Sequence, residues 1–349
     1  MTVARSQLVD REVTPYYHCI SRCVRRAYLC GEGYEHRKDW IEKRLEELAD
    51  IFAISVAGFS IMDNHLHVLV RLESKQLVEQ WSDRDVAQRW GRLFPPRDKK
   101  RQPLPVTEAW IEQQLRDPKW VQKIRQRLAK LGWFMKCLKE PLARMANREE
   151  GCRGAFWESR YKSIAILDNE ALLATCVYID LNPMAAGIAD LPEQSQHTSI
   201  KARLDHIRQK GRMPELKAAM KVTSTGCVLS TDAAAKLEQQ LWLCPLSGTV
   251  DPTGRYQGLL EGFSLAQYLQ LVDWTSRLVR EGKQHVTRAA ASILERLGTS
   301  ADVWQATIQK MFSRSQLLGV AFSFSRERLQ QAASHRGCHH LANLNGCPA

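Results

Sequence analysis

In the N-terminal part of the chain, apolar and polar positions alternate over short stretches. From Tyr16 to about Leu29, His18, Ile20 and Arg22 alternate with Tyr17, Cys19, Ser21 and Cys23, which predicts a strand followed by a turn back. His36 to Phe52 changes period. Trp40, Leu45, Leu48 and Ile51 keep helical spacing, so an amphipathic helix is expected. Ile54 to Leu72 returns to strand character, rich in β-branched and aromatic residues, with Gly58 as a turn or bulge point. Ser74 to about Trp133 mixes Trp and Leu with many Lys and Arg around a Pro-rich break at Phe94 to Pro105. It reads as a helical insertion with one mobile loop.

Trp133 to Arg148 reads as a helix, Gly151 to Gly154 as a turn and Ala155 to Leu167 as a strand. Asp168 is a good N-cap for the next helix, with Glu170 in its first turn. That helix is expected to stop near Asn182-Pro183, with Gly187 just beyond. The chain turns polar after Leu191, and residues 196–349 read as a separate, mainly helical region. The order of elements predicts an α+β sandwich with helices on one face.

Composition narrows the class. The chain has 349 residues, enough for one large or two modest domains, and 44% are hydrophobic, which excludes general disorder. Lys and Arg number 50 against 38 Asp and Glu, a formal charge of +12 that attracts polyanions, nucleic acid above all. The ten cysteines lack Cys-x-x-Cys spacing, as expected of reduced thiols in a cytosol. Residues 1–12 carry charge and no apolar stretch, so no signal peptide is expected, and no run in the sequence approaches about 18 apolar residues, so no membrane span is expected.

Three features carry candidate chemistry. In Met62-Asp63-Asn64-His65-Leu66-His67-Val68-Leu69-Val70, strand alternation turns His65 and His67 to one side and Leu66, Val68 and Val70 to the other. Two neutral imidazoles so placed can chelate a divalent ion. Alone, the pattern equally fits two partly exposed histidines paired with acids. In Leu172 to Pro183, Tyr178 and Asn182 lie one helical turn apart. An amide oxygen can ligate a hard ion, and a phenol becomes a useful nucleophile when a metal withdraws charge from a phosphodiester. Alone, the pair fits better a core-edge aromatic and a helix-end residue before Pro183. Lys119 to Arg148 interleaves Trp120, Trp133 and Phe134 with basic residues, among them Lys123, Arg125, Arg127 and Lys130. That suits a phosphate backbone with unpaired bases, or a solvated basic helix with its aromatics turned inward. Arg22, Arg25 and Arg26, the loop Arg97 to Arg101, and Arg160 and Lys162 are further candidate DNA contacts. Cys338-His339-His340 with Cys347 matches no usual zinc spacing and reads as a frayed terminus.

Three motifs in this order, Met62-Asp63-Asn64-His65-Leu66-His67, Phe156-Trp157-Glu158-Ser159-Arg160-Tyr161-Lys162-Ser163 and Tyr178-Ile179-Asp180-Leu181-Asn182-Pro183, resemble the HUH single-tyrosine transposases. The REP-associated tyrosine transposase branch fits more closely. The resemblance covers Tyr16 to Leu72 and Trp133 to about Ala189. It implies a ferredoxin-like antiparallel sheet and a catalytic domain over residues 1–195 with its insertion at about 74–132. It implies that His65, His67 and Asn182 hold Mg²⁺ or Mn²⁺ and that Tyr178 attacks. Asn182 stands where insertion-sequence transposases commonly have glutamine; the REP-associated branch has asparagine there. The implied activity is cleavage and rejoining of single-stranded hairpin or palindromic DNA through a 5′-phosphotyrosine. The protein is then a monomer or homodimer in the bacterial cytoplasm, associated with the nucleoid. Tyr161 is the competing tyrosine, but Ala165, four residues on, offers no ligand. The rival readings are a non-catalytic hairpin-binding protein and a zinc hydrolase using the histidine pair. The region beyond about Leu191 has no counterpart in the resemblance; a DNA-binding or accessory role is expected for it.

Overall fold

A computed structural model describes residues 9–248, 257–281, 288–296 and 298–314. The Cys338 to Cys347 cluster lies outside them. Four strands form one antiparallel sheet: β1 (Tyr16–Arg22), β2 (Ile54–Ile61), β3 (His65–Leu72) and β4 (Lys162–Ala165), in the order β2-β3-β1-β4. Helix α1 (His36–Ile51) joins β1 to β2 and leaves a gap that β3 fills. The chain then runs through the insertion helices α2 (Lys75–Gln80), α3 (Asp83–Leu93), α4 (Glu108–Leu115) and α5 (Pro118–Leu128) into α6 (Leu131–Glu149) and back to β4 beyond β1. This is the ferredoxin-like α+β arrangement expected from the sequence, with a helical insertion and a helical C-terminal part.

The alternation read in β1 and β3 explains the layers. Tyr17, Cys19, Leu66, Val68 and Val70 pack in one apolar cluster with Leu45 and Leu48 of α1 and Phe134 and Leu138 of α6. Arg37, wholly buried, ties these helices together, donating from Nε to Glu149 at 3.0 Å and from Nη2 to Glu150 at 2.7 Å.

The other face of the sheet is covered as well. Leu69 and Ala57 pack against α7 (Asn169–Ala185), whose residues from Ala171 to Pro183 are all buried. An all-round apolar helix needs cover on every side. The remainder comes from α8 (Ser199–Gln209), α9 (Met213–Ser224), α10 (Thr231–Leu237), α11 (Leu265–Glu281), α12 (Arg288–Arg296) and α13 (Ala301–Arg314), which contribute to the same continuous cluster. Arg203 of α8, also buried, pairs with Glu238 and donates to the carbonyls of Ala57 at 3.0 Å and Cys244 at 2.8 Å. Among the described residues no helix is long and apolar enough to cross a membrane.

Local readings fare unevenly. Gly58 is a bulge, with the β2–β3 register shifting between Val56 and Gly58, while the turn falls at 62–64. A Cβ at Gly58 would sit 3.2 Å from Ser199 Oγ, so glycine lets β2 approach α8 closely. Asp168 caps α7 as expected, accepting from Ala171 N at 2.8 Å. Two expectations are corrected. The strand expected over Ala155 to Leu167 shrinks to Lys162–Ala165: Trp157 pairs only as an isolated bridge with Cys23, and the chain bends at 158–160 before β4 begins. Helix α7 runs through Pro183 to Ala185: the proline forfeits one N–H, and the ladder resumes with Ala186 N to Asn182 O at 3.0 Å. It ends at Gly187, whose φ is +71°.

Because α7 shares its core with the C-terminal helices, a chain ending at Ser195 would bare one whole side of it. We expect that fragment to be insoluble or to lose cooperative unfolding, read by soluble yield and thermal melting. A soluble fragment with a sharp transition would contradict the shared core.

Candidate active site

The register of the sheet sets three histidines together. His18 on β1 lies opposite Leu69 and Ile20 opposite His67, so His18 and His67 are diagonal neighbours on one face. Their rings stack with centroids 5.0 Å apart, and His18 Nε2 lies 2.9 Å from His67 Nδ1. His65, next along β3, has its ring 4.8 Å from that of His67. Helix α7 brings Tyr178 edge-on to both buried rings, 5.5 Å from His67 and 6.1 Å from His18. Asn182, one turn on, meets His65.

His65, His67, Tyr178 and Asn182 line one cavity of about 290 Å³, with Arg22 and Arg26 at its edge. Phe312 of α13 closes another side, its ring 5.1 Å from Tyr178, whose residue is only 4% exposed. The loop after β1 is held to the β2–β3 turn by Cys23 N to Asn64 O and Cys30 N to Asp63 O, both 2.8 Å. These bonds hold Arg25 and Arg26 at φ of 54° and 55°, a left-handed backbone that non-glycine residues seldom adopt.

The electrostatics favour neutral imidazoles. Burial lowers the pKa of His18 to about 3. Burial, and then the nearby Arg22 guanidinium, lower that of His65 to about 4. His67 falls well below its ordinary value through burial, then the neighbouring His65, His18 and Arg22. Asn64 Nδ2 donates to Arg26 O at 3.3 Å, which turns its oxygen toward His65 Nδ1 at 2.6 Å. An oxygen only accepts, so His65 carries its proton on Nδ1 and keeps a lone pair on Nε2.

The donor set fits a divalent ion. His67 Nε2 and Asn182 Nδ2 are buried and have no hydrogen-bond partner. The orphaned ring nitrogen marks a place for an ion or water, and the amide N–H a place for water or an acceptor oxygen. Among the described residues no group of three or more His, Cys, Asp or Glu side chains could hold a metal; the Asn182 amide, lining the same cavity, is a further candidate donor beside the two histidines.

The candidate DNA contacts divide. Arg22 and Arg26 border the cavity; Arg25, Lys123, Lys130, Arg160 and Lys162 are exposed. Arg125 is committed internally, pairing with Asp83 at 2.6 Å and donating to the carbonyls of Val78 and Trp81. Arg127 lies 4.4 Å over the Trp133 ring. Tyr161 is buried in the cluster on the α1–α6 face, opposite the histidines.

Sequence reasoning missed two residues. His18 was visible only as part of an alternating strand. Asp180 is the one carboxylate between Ala171 and Pro183, itself a signal in so apolar a helix. It accepts from Ser199 Oγ at 2.6 Å, Ile200 N at 3.0 Å and Tyr268 Oη at 2.5 Å.

Compared with known proteins, the chain matches no family model and no curated protein. A solved structure of the REP-associated tyrosine transposase bound to a REP hairpin aligns over 53% of this chain and 74% of its own, with 11% identity and a TM-score of 0.28. A likeness that loose carries no argument about the site, whose chemistry has to be argued from its own geometry.

The buried imidazoles give a pH signature. As pH falls through about 6.5 the unfolded chain takes up protons that the folded one refuses, so stability is full above that pH and declines below it. Removing one such group, as in His67→Gln, should flatten the decline by up to about 1.4 kcal/mol per pH unit. Thermal melts of metal-free protein between about pH 7.5 and 5 read this. Equal slopes for the two proteins would contradict burial in the neutral form.

Proposed function

We propose that the protein is a metal-dependent tyrosine nuclease and strand transferase acting on single-stranded DNA with hairpin or palindromic structure. One observation carries this reading: His67, whose buried Nε2 has no hydrogen-bond partner, lines the same cavity as His65, Asn182 and Tyr178. His65, His67 and Asn182 would hold the ion, a donor set with room for phosphate oxygens and water that suits Mg²⁺ or Mn²⁺. When bound, such an ion withdraws charge from a phosphodiester and eases attack by a weak nucleophile.

The chain's own residues do the rest. Arg22 and Arg26, at the cavity edge, receive the phosphate. Tyr178 Oη gives up its proton and forms a bond to phosphorus as the bond to the 3′ oxygen breaks, and that oxygen takes up a proton. A 5′-phosphotyrosine and a free 3′-hydroxyl result. Attack on that adduct by another 3′-hydroxyl rejoins the strand and frees the tyrosine, with no nucleotide triphosphate consumed.

Tyr178→Phe should abolish the covalent adduct and cleavage while hairpin binding persists, because it removes one oxygen from a packed ring. Peptide mapping of adducts trapped with Mn²⁺ and a panel of hairpin oligonucleotides reads this. An adduct on Tyr161, or one formed normally by Tyr178→Phe, overturns the assignment, and hairpin binding without any adduct points to a binding protein.

Replacing exposed Lys123 and Lys130 together by Gln should lower the salt dependence of single-strand binding, by roughly 0.7 in log K against log salt for each phosphate no longer neutralised. Arg125→Gln should act through stability instead, since its guanidinium ties α5 to α2 and α3. An unchanged salt slope for the double lysine variant would remove this face from the DNA path.

A further inference from the structure

We propose that His18 is a positioning residue: its Nε2 accepts a hydrogen bond from His67 Nδ1–H and thereby presents the His67 Nε2 lone pair to the cavity. This rests on the metal-site reading above and adds a residue to it.

The contact allows two arrangements. Either His67 carries its proton on Nδ1 and donates to His18 Nε2, or His18 donates from Nε2 and His67 carries its proton on Nε2. Only the first leaves His67 able to ligate an ion, because a protonated ring nitrogen has no lone pair. Both leave one buried nitrogen without a partner on each ring, His67 Nε2 and His18 Nδ1. Counting unmet hydrogen bonds therefore does not separate them.

The surroundings do. His67 lines the cavity and His18 does not, and Arg22 and Arg26 line the same cavity. A lone pair is the negative end of the imidazole and an N–H the positive end, so fixed guanidinium charges favour the lone pair on the cavity side. Burial strengthens that preference by weakening screening.

His65 offers the parallel case. Its Nδ1 faces the Asn64 oxygen, and its Nε2 is left with the lone pair. The two adjacent histidines of β3 would thus be set in the same tautomer by different acceptors, one an amide and one an imidazole. Acceptors of this kind fix ring orientation and raise ligand basicity. His18 suits the role because it is 1% exposed and anchored on the central strand β1, between β3 and β4.

The test uses the full chain with Mn²⁺ as probe. Long-range nitrogen–proton NMR of the metal-free protein should find the His67 proton on Nδ1. His18→Leu should weaken Mn²⁺ binding, read by calorimetry, by about tenfold to a hundredfold. His18→Gln places an acceptor as many bonds from the backbone as the ring Nε2, and should bind within a few-fold of the unmodified chain. A His67 proton on Nε2, or His18→Leu binding Mn²⁺ as tightly as the unmodified chain, overturns the proposal. If the unmodified chain binds no Mn²⁺, the metal reading fails, and the NMR tautomer still decides the role of His18. Should His18→Leu not fold, the NMR result and the Gln variant decide.

Discussion

Asp180 is a carboxylate shut away from water, and the geometry of the site hangs on where it points. Burial raises its pKa, and three donors from Ser199, Ile200 and Tyr268 offset that by surrounding its oxygens. Those donors belong to α8 and α11, and Ser199 Oγ also accepts from Phe59 N of β2 at 3.1 Å, which ties this cluster to the sheet. Successive residues on an α-helix are turned by about 100°, so positions two before and two after lie roughly opposite. With Asp180 held by these donors, Tyr178 and Asn182 are turned to the other side of α7, where the histidines lie. Rotating α7 to move the tyrosine would pull a desolvated carboxylate from its donors, which a buried acid resists strongly. The C-terminal helices are in this sense part of the site, although most of their residues never approach it.

The same packing governs access. Tyr178 lies beneath Phe312, and its ring is wedged against two neutral imidazoles. A charged phosphodiester gains nothing by entering past an apolar ring. The edge lined by Arg22 and Arg26 offers compensating charge where desolvation begins. The strained loop carrying Arg26, just beyond Arg22 at the end of β1, is pinned to the turn that precedes His65, so both arginines and the candidate ligands share one corner.

What could be read from the sequence was what depends on local period. The two-residue repeat of β3 put His65 and His67 on one side, the four-residue spacing put Tyr178 beside Asn182, and Asp168 announced its helix. The ferredoxin-like order of strands came from the resemblance, and the pairings bear it out. What could not be read depends on register or on distant partners. His18 matters because β1 pairs with β3 in a register that sets it beside His67, and no local pattern reveals a register. Arg125 looked like any cation on a basic helix until Asp83 and two carbonyls claimed it. The stretch from Ala155 to Leu167 has strand-like composition, yet Trp157 pairs only as an isolated bridge with Cys23 and the chain bends at 158–160 before β4 begins. The stop expected at Asn182-Pro183 gave way because a proline near a helix end forfeits only one bond and tight packing holds the last turn.

The insertion shows how a basic, aromatic composition divides between structure and surface. Trp133 lies under Arg127 and Lys136, at 4.4 and 4.7 Å, and edge-on to Trp90 at 5.5 Å. A cation stacked on an indole is partly compensated already, so moving it to a phosphate exchanges one favourable contact for another. Lys123 and Lys130 are exposed on the same stretch. A phosphate backbone crossing this face would therefore draw its gain from these lysines and from Arg25, Arg160 and Lys162 nearer the sheet. The aromatics would serve chiefly to hold the helices that present them. A net charge of +12 thus overstates the charge on offer, and the smaller exposed set decides where a polyanion settles.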